Sequence, residues 1–257
     1  MTLTDQQLER YARHIILKDV GGLGQKKLLK SKVLIVGAGG LGAPLIMYLA
    51  AAGVGTIGII DDDLVTLSNL QRQIIHQTKN IGLSKTQSSL EMVKNINPDV
   101  NVRLYQERLT LKNAETIIKK FDLVADGCDN FETRLLVNDV CYKTQTPLVS
   151  GALSQFEGQV ATYKPFENNQ QNEPYPCYRC LVPENPGDGG GDSCSDQGVL
   201  GIIAGVVGTL QATEVLKELL GIGKSLCGKL LIYDALSSNT RLINLKRDIK
   251  CKTCGEK

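Results

Sequence analysis

Gly37, Gly39 and Gly42 stand in G-x-G-x-x-G spacing, with Gly40 among them, directly after the apolar run 32–36. Without side chains there, the backbone can turn tightly, approach a phosphate and let the next helix pack close to the strand before it. Asp61 lies about 20 residues on, at the end of a second apolar run, where a carboxylate accepts hydrogen bonds from the hydroxyl pair of a ribose. An adenosine nucleotide fits these residues, and so does a nicotinamide cofactor.

The next stretch separates the two. From Asp61 the chain reads D-D-D-L-V-T-L-S-N-L-Q-R-Q, then reaches Lys85 at the start of another helical segment. Asn69, Arg72 and Lys85 do nothing for a neutral nicotinamide ring, whereas a triphosphate needs such groups. Lys85 also falls in the first turn of its helix, against the macrodipole, where stability alone would favour an acid. Asp129, in D-G-C-D-N, follows the apolar run 123–126, and ligands gather beyond the carboxyl ends of strands in an open α/β sheet. Asp129 or Asn130 would also cap the helix expected over 131–143.

Cysteine carries a second chemistry. Cys177 with Cys180, and Cys251 with Cys254, form two C-x-x-C pairs about 70 residues apart. Four thiolates suit a closed tetrahedral zinc site, while redox work needs one pair beside a thioredoxin-like strand and helix. Cys128 and Cys141 read as small buried core residues. His14 and His76, the only histidines, lie in no motif that supplies an orienting carboxylate, so both read as structural.

These residues need an α/β frame to hold them. The pattern predicts strands at 32–36, 56–60, 100–106, 123–126, 147–153 and 157–164, with helices after the glycine turn and over 84–97, 111–120, 131–143 and 198–220. A hairpin of strands at 229–233 and 241–245 follows. The fold class is a Rossmann-like, doubly wound, mostly parallel sheet extended by antiparallel strands, with a C-terminal tetracysteine zinc site. Residues 4–18 read as one amphipathic helix opened by a Thr4/Gln7 capping box and buried through Leu8, Tyr11, Ile15 and Ile16. Gly201, Gly205 and Gly208 have close-packing spacing. We expect one domain over 1–257: an N-terminal helical segment (1–30), a nucleotide-binding half (31–150) and a second half (151–257) with the cysteine pairs. Between those pairs, the polar, glycine-rich stretch at about 184–198 reads as a mobile loop crossing the site.

Composition narrows the partners. The chain has 257 residues and a formal charge of +2 from 29 basic and 27 acidic side chains. No global field recommends nucleic acid or a membrane. The start of the chain lacks a basic region followed by an apolar run, and eight cysteines without an export signal point to thiols and metal ligation in the cytoplasm.

The S-N-L-Q-R-Q run at 68–73 resembles the MoeB/ThiF family of ubiquitin-activating-like adenylyltransferases. Arg10-Tyr11-Ala12-Arg13, Asp126-Gly127-Cys128-Asp129-Asn130, both cysteine pairs and Gly198-Val199-Leu200-Gly201 match in the same order, so the resemblance spans the chain. It implies ATP-dependent adenylation of the C-terminal glycine carboxylate of a small ubiquitin-like sulfur-carrier protein, for thiamine or molybdenum-cofactor synthesis. Arg13 would reach the phosphates from the partner subunit of a homodimer. Lys85 would contact phosphate and Asp129 would carry magnesium. Cys194 matches a cysteine that some relatives use for a covalent link, although Asp192 and Asp196 beside it oppose thiolate formation. The second half would receive the carrier's tail. Some relatives continue into a sulfurtransferase domain; a chain ending at Lys257 implies a separate sulfur donor protein. The alternatives are a nicotinamide-dependent oxidoreductase and a tRNA-modifying adenylating relative, the latter with no basic surface for tRNA.

Overall fold

The computed structural model describes residues 2–184 and 198–256. Short apolar runs form the parallel strands β1 (Lys32–Val36), β2 (Thr56–Ile60), β3 (Asn101–Tyr105), β4 (Leu123–Asp126) and β5 (Leu148–Leu153). Helices cover both faces of the strands at the centre of this sheet, which is why β1, β2 and β4 are apolar along nearly their whole length. Antiparallel strands β6 (Glu157–Tyr163), β7 (Lys229–Asp234) and β8 (Asn239–Asn244) continue from β5. The result is one eight-stranded sheet in the order 3-2-1-4-5-6-7-8.

The helices are α1 (Asp5–Arg10), α2 (Ala12–Ile15), α3 (Gly21–Lys30), α4 (Gly42–Ala51), α5 (Lys85–Ile96), α6 (Ala114–Ile118), α7 (Phe131–Thr144), α8 (Tyr178–Leu181) and α9 (Gly201–Leu220). Leu45 and Leu49 of α4, Val93 of α5 and Val207 of α9 fill the core on one face of the sheet. Ile118 of α6 and Leu135 and Val137 of α7 fill it on the other. Gly42 sets the first approach: a Cβ there would stand 2.0 Å from the Gly37 carbonyl oxygen. Gly208 sets another, since a Cβ would meet Pro44 at 2.5 Å and the Leu41 carbonyl at 2.6 Å.

Three expectations need correction. Residues 4–18 are two short helices. The capping box at Thr4 forms, but the chain breaks at Tyr11, whose buried hydroxyl accepts a 2.9 Å bond from Asn97. Leu8 and Ile16, expected in the core, are 45% and 71% exposed. The helix expected at 111–120 begins only at Ala114, because Asn113 folds back to accept from the Thr110 amide at 2.8 Å. The helix expected from Gly198 begins at Gly201, and of the three spaced glycines Gly205 faces open space.

Candidate functional site

The strand order reverses between β1 and β4. There the two connections diverge to opposite faces and leave a crevice at the carboxyl ends of the strands. A cavity of about 930 Å3 occupies it. Gly37, Gly39, Gly40, Asp61, Arg72, Lys85 and Asp129 all line this cavity, although they come from five separate segments.

Gly37 opens the turn at φ +91°, a conformation that favours glycine. The next residue is fixed through both of its flanking peptides. Ala38 N–H donates to Asp61 Oδ2 at 2.7 Å, and the Ala38 carbonyl lies 3.0 Å from His76 Nε2. The other Asp61 oxygen accepts from the Asp63 amide at 2.9 Å. Burial raises the Asp61 pKa, while Lys85 and the two amides partly offset it.

Lys85 is buried in the first turn of α5 and its Nζ lies 2.6 Å from Asp63 Oδ2. Arg72 donates to the Ser68 carbonyl at 3.2 Å and keeps a face on the cavity. Asn130, rather than Asp129, caps α7, accepting from the Thr133 amide at 2.9 Å. Asp129 is thereby left exposed at the cavity wall.

Other expected residues lie elsewhere. Gly42 packs α4 against the turn and is absent from the lining. Asn69 Oδ1 accepts from the Thr66 amide at 3.1 Å, closing a short turn outside the lining. Arg13 lies on α2, whose neighbours Tyr11 and His14 are anchored at the far end of α4: Tyr11 packs under Gly53, and Gln25 joins His14 to the Ala52 carbonyl. Cys194 lies outside the described residues, as does most of the loop expected at 184–198.

The structure adds groups that the sequence did not single out. Arg134, buried on α7, donates to Asp126 Oδ2 (3.4 Å), Ser150 Oγ (3.2 Å), the Gly151 carbonyl (2.7 Å) and the Cys128 carbonyl. It therefore holds the turn that carries Asp129. Its only sequence signal is a charge directly before the apolar Leu135, Leu136 and Val137. Burial, with Asp126 beside it, pushes the Cys128 thiol up, so the cysteine in this wall is no thiolate. Among the described residues, six carboxylates line the cavity (Asp61, Asp62, Asp63, Glu107, Asp129, Glu132) against four cations (Arg72, Lys85, Arg108, Arg134).

The four expected zinc ligands converge. The Sγ atoms of Cys177, Cys180, Cys251 and Cys254 all lie within 4.8 Å of one another. Two edges, Cys177 to Cys251 and Cys180 to Cys254, measure 3.6 and 3.5 Å. Zinc with bonds of ~2.3 Å needs sulfurs about 3.8 Å apart, whereas a disulfide needs ~2.05 Å, so the set fits a tetrahedral ion. Asp139 on α7 joins both pairs, accepting from Arg179 Nε and Nη2 at 2.8 and 2.7 Å and from Thr253 at 2.5 Å. Tyr178, between the first two cysteines, lines the cavity together with Leu181 and Val182.

The ThiF family model matches residues 11–253. The chain is 46% identical over 256 residues to a sulfur carrier protein adenylyltransferase of Thermus thermophilus, covering 100% of this chain and 94% of that protein. It is equally 46% identical to a SAMP-activating enzyme E1 of Haloferax volcanii, covering 100% and 92%. A probable adenylyltransferase/sulfurtransferase MoeZ of Mycobacterium tuberculosis is 47% identical, with 96% of this chain covering 62% of that protein. Among solved structures, that of E. coli MccB with MccA-N7isoASN superposes with a TM-score of 0.81 at 21% identity, over 97% of this chain and 75% of the other. That likeness speaks for the fold alone.

Proposed function

The chain belongs to the ThiF family, and on that footing we propose that its cleft adenylates the C-terminal glycine carboxylate of a small ubiquitin-like sulfur-carrier protein. One observation carries this reading: a known sulfur carrier protein adenylyltransferase is matched along the entire chain at 46% identity. ATP would lie along the crevice, its phosphates at the Gly37–Gly40 turn and its ribose toward Asp61. Residues 31–150 form the nucleotide half, and 151–257 the half that faces the carrier. Ala152, Gln159, Tyr178, Leu181 and Val182 from that second half wall the same cavity and give a peptide tail a path to it. The edge strand β8, with Leu242 and Ile243 exposed on its two opposite faces, is open to the body of the carrier.

The terminal carboxylate, ionised near neutrality, attacks the α-phosphorus. The bond from that phosphorus to the bridging oxygen breaks, pyrophosphate departs, and the carrier is left as an acyl-adenylate. No general base is needed. Arg72 and Lys85 offset charge growing on the phosphate oxygens, with Asn69 orienting the segment of Arg72. The carboxylate excess in the lining supports two additions to the site. Asp129 would hold magnesium, which neutralises phosphate oxygens when bound, and Arg13 would enter from a second copy in a homodimer. Its anchorage at the far end of α4 keeps Arg13 from its own cleft. Zinc on the four cysteines would pin the tail to α7.

Thiamine and molybdenum-cofactor synthesis are the two pathways in which we place this step, with a separate protein as sulfur donor and the cytoplasm as compartment. No helix among the described residues is long and apolar enough to cross a membrane. The test is to incubate the protein with ATP, magnesium and each candidate carrier and weigh the carrier for added AMP. Uptake of a reduced nicotinamide nucleotide, with no adenylated carrier, overturns the reading.

A further inference from the structure

We infer that His76 is a positioning residue for the nucleotide phosphates, its imidazole locking three phosphate-directed segments into one unit. The inference rests on the adenylation reading above and goes beyond it. The first segment is the glycine turn, reached through the 3.0 Å contact of Nε2 with the Ala38 carbonyl. The second is α5, whose first turn carries Lys85 and, one residue-turn on, Ser88, whose Oγ lies 2.9 Å from His76 Nδ1. The third is the segment of His76 itself. Arg72 and Gln73 amides donate to the Asn69 carbonyl at 3.1 and 2.9 Å, and the His76 amide to the Gln73 carbonyl at 3.0 Å. A displacement of the ring is therefore relayed to Arg72.

The partners settle the tautomer. A carbonyl only accepts, so Nε2 carries the proton and donates to Ala38, and Nδ1 accepts from the Ser88 hydroxyl. A neutral ring satisfies both bonds, and a buried carbonyl left without its donor is costly. Both peptides that flank the Ala38 Cα are then held, the preceding one through its N–H by Asp61 and the following one through its carbonyl by His76, which fixes where the following amides point. Preorganised donors of this kind are worth most where phosphate charge develops.

Two substitutions separate the ring's contacts. A glutamine amide nitrogen reaches roughly the Nε2 position and can still donate to Ala38. An asparagine reaches only the Nδ1 position and loses that contact. Titration calorimetry with Mg-ATP on wild type, His76→Gln and His76→Asn should give affinity within about threefold of wild type for the first and at least about tenfold weaker for the second. Equal affinity in the two variants, with only their melting temperatures lowered, overturns the proposal. If wild type itself takes up no ATP, the adenylation reading fails on its own, and hydrogen exchange of the Ala38–Gly40 amides without ligand decides the role of the ring. Faster exchange in His76→Asn than in His76→Gln supports it; equal rates refute it.

Discussion

At the residue scale, Arg72 and His76 show two ways in which a side chain serves an anion. Arg72 offers charge directly: among the described residues its guanidinium makes one bond, to the Ser68 carbonyl, and it lines the cavity. Arg72→Ala should lower carrier-dependent pyrophosphate exchange by about 10²–10³-fold while leaving zinc content and circular dichroism unchanged; wild-type exchange rates would remove Arg72 from the site. Asp129→Asn should raise the magnesium concentration needed for half-maximal exchange, and an unchanged magnesium titration would count against the metal role. His76 acts by holding backbone, and that makes it sensitive to acid. Burial lowers its pKa from the ordinary 6.5, the Ala38 carbonyl partly offsets this, and nearby Lys85 adds to it. The unfolded chain therefore binds more protons than the folded one below about pH 6.5, and stability falls on acidification. Calorimetric melting between about pH 7 and about pH 5.5 should show this loss in wild type and less of it in His76→Gln. Identical slopes would mean that the ring titrates without linkage to folding.

At the element scale, α7 works as a beam between two sites. Its N-terminus carries Asn130 and Arg134 at the cleft, and its middle carries Asn138 and Asp139 at the cysteines. Asn138 accepts from the Tyr178 amide at 2.8 Å, so the cysteine site and the cleft wall share a fixed reference. Asp139→Ala removes the group that joins the two cysteine pairs. Zinc affinity, measured by competition with a chelator, should fall about 10–100-fold; retention of wild-type affinity would show that Asp139 only supports the surface around the metal. Much of this scale was legible in the sequence. Buried parallel strands read as short apolar runs, and their bounds came within a residue or two because turns on either side are polar. The pairing of cysteines was legible because thiolate spacing has few other uses. The Arg134 to Asp126 pair and the His76 to Ala38 contact were not, since each joins residues whose proximity exists only once the sheet has formed. The N-terminal helices were misread for a different reason: an amphipathic stripe does not say whether its apolar face meets the core or another molecule.

At the scale of the whole molecule, that misreading becomes informative. Leu8, Ile16, Leu17 and Leu23 are exposed on the N-terminal segments that carry Arg13, while among the described residues the cleft at the other end of α4 has more carboxylates than cations. A two-fold dimer that covers the first and supplies the second would resolve both with one interface, each subunit lending Arg13 to the other. This arrangement predicts complementation. Arg13→Ala and Arg72→Ala should each be about 10²–10³-fold slower alone, because one lacks the lent cation and the other the resident one. Coexpressed in equal amounts, half of the dimers would be mixed. In those, the Arg72→Ala subunit lends an intact Arg13 to a partner whose Arg72 is intact, rebuilding one of the two sites. Carrier adenylation should therefore recover to roughly a quarter of the wild-type rate. A site complete within one chain would give no recovery at any ratio, since neither variant then holds both arginines. Recovery also distinguishes a shared site from mere dimerisation: pairing Arg72→Ala with a second variant of a resident cleft cation, Lys85→Ala, should leave every mixed dimer with a defect in each cleft and restore nothing.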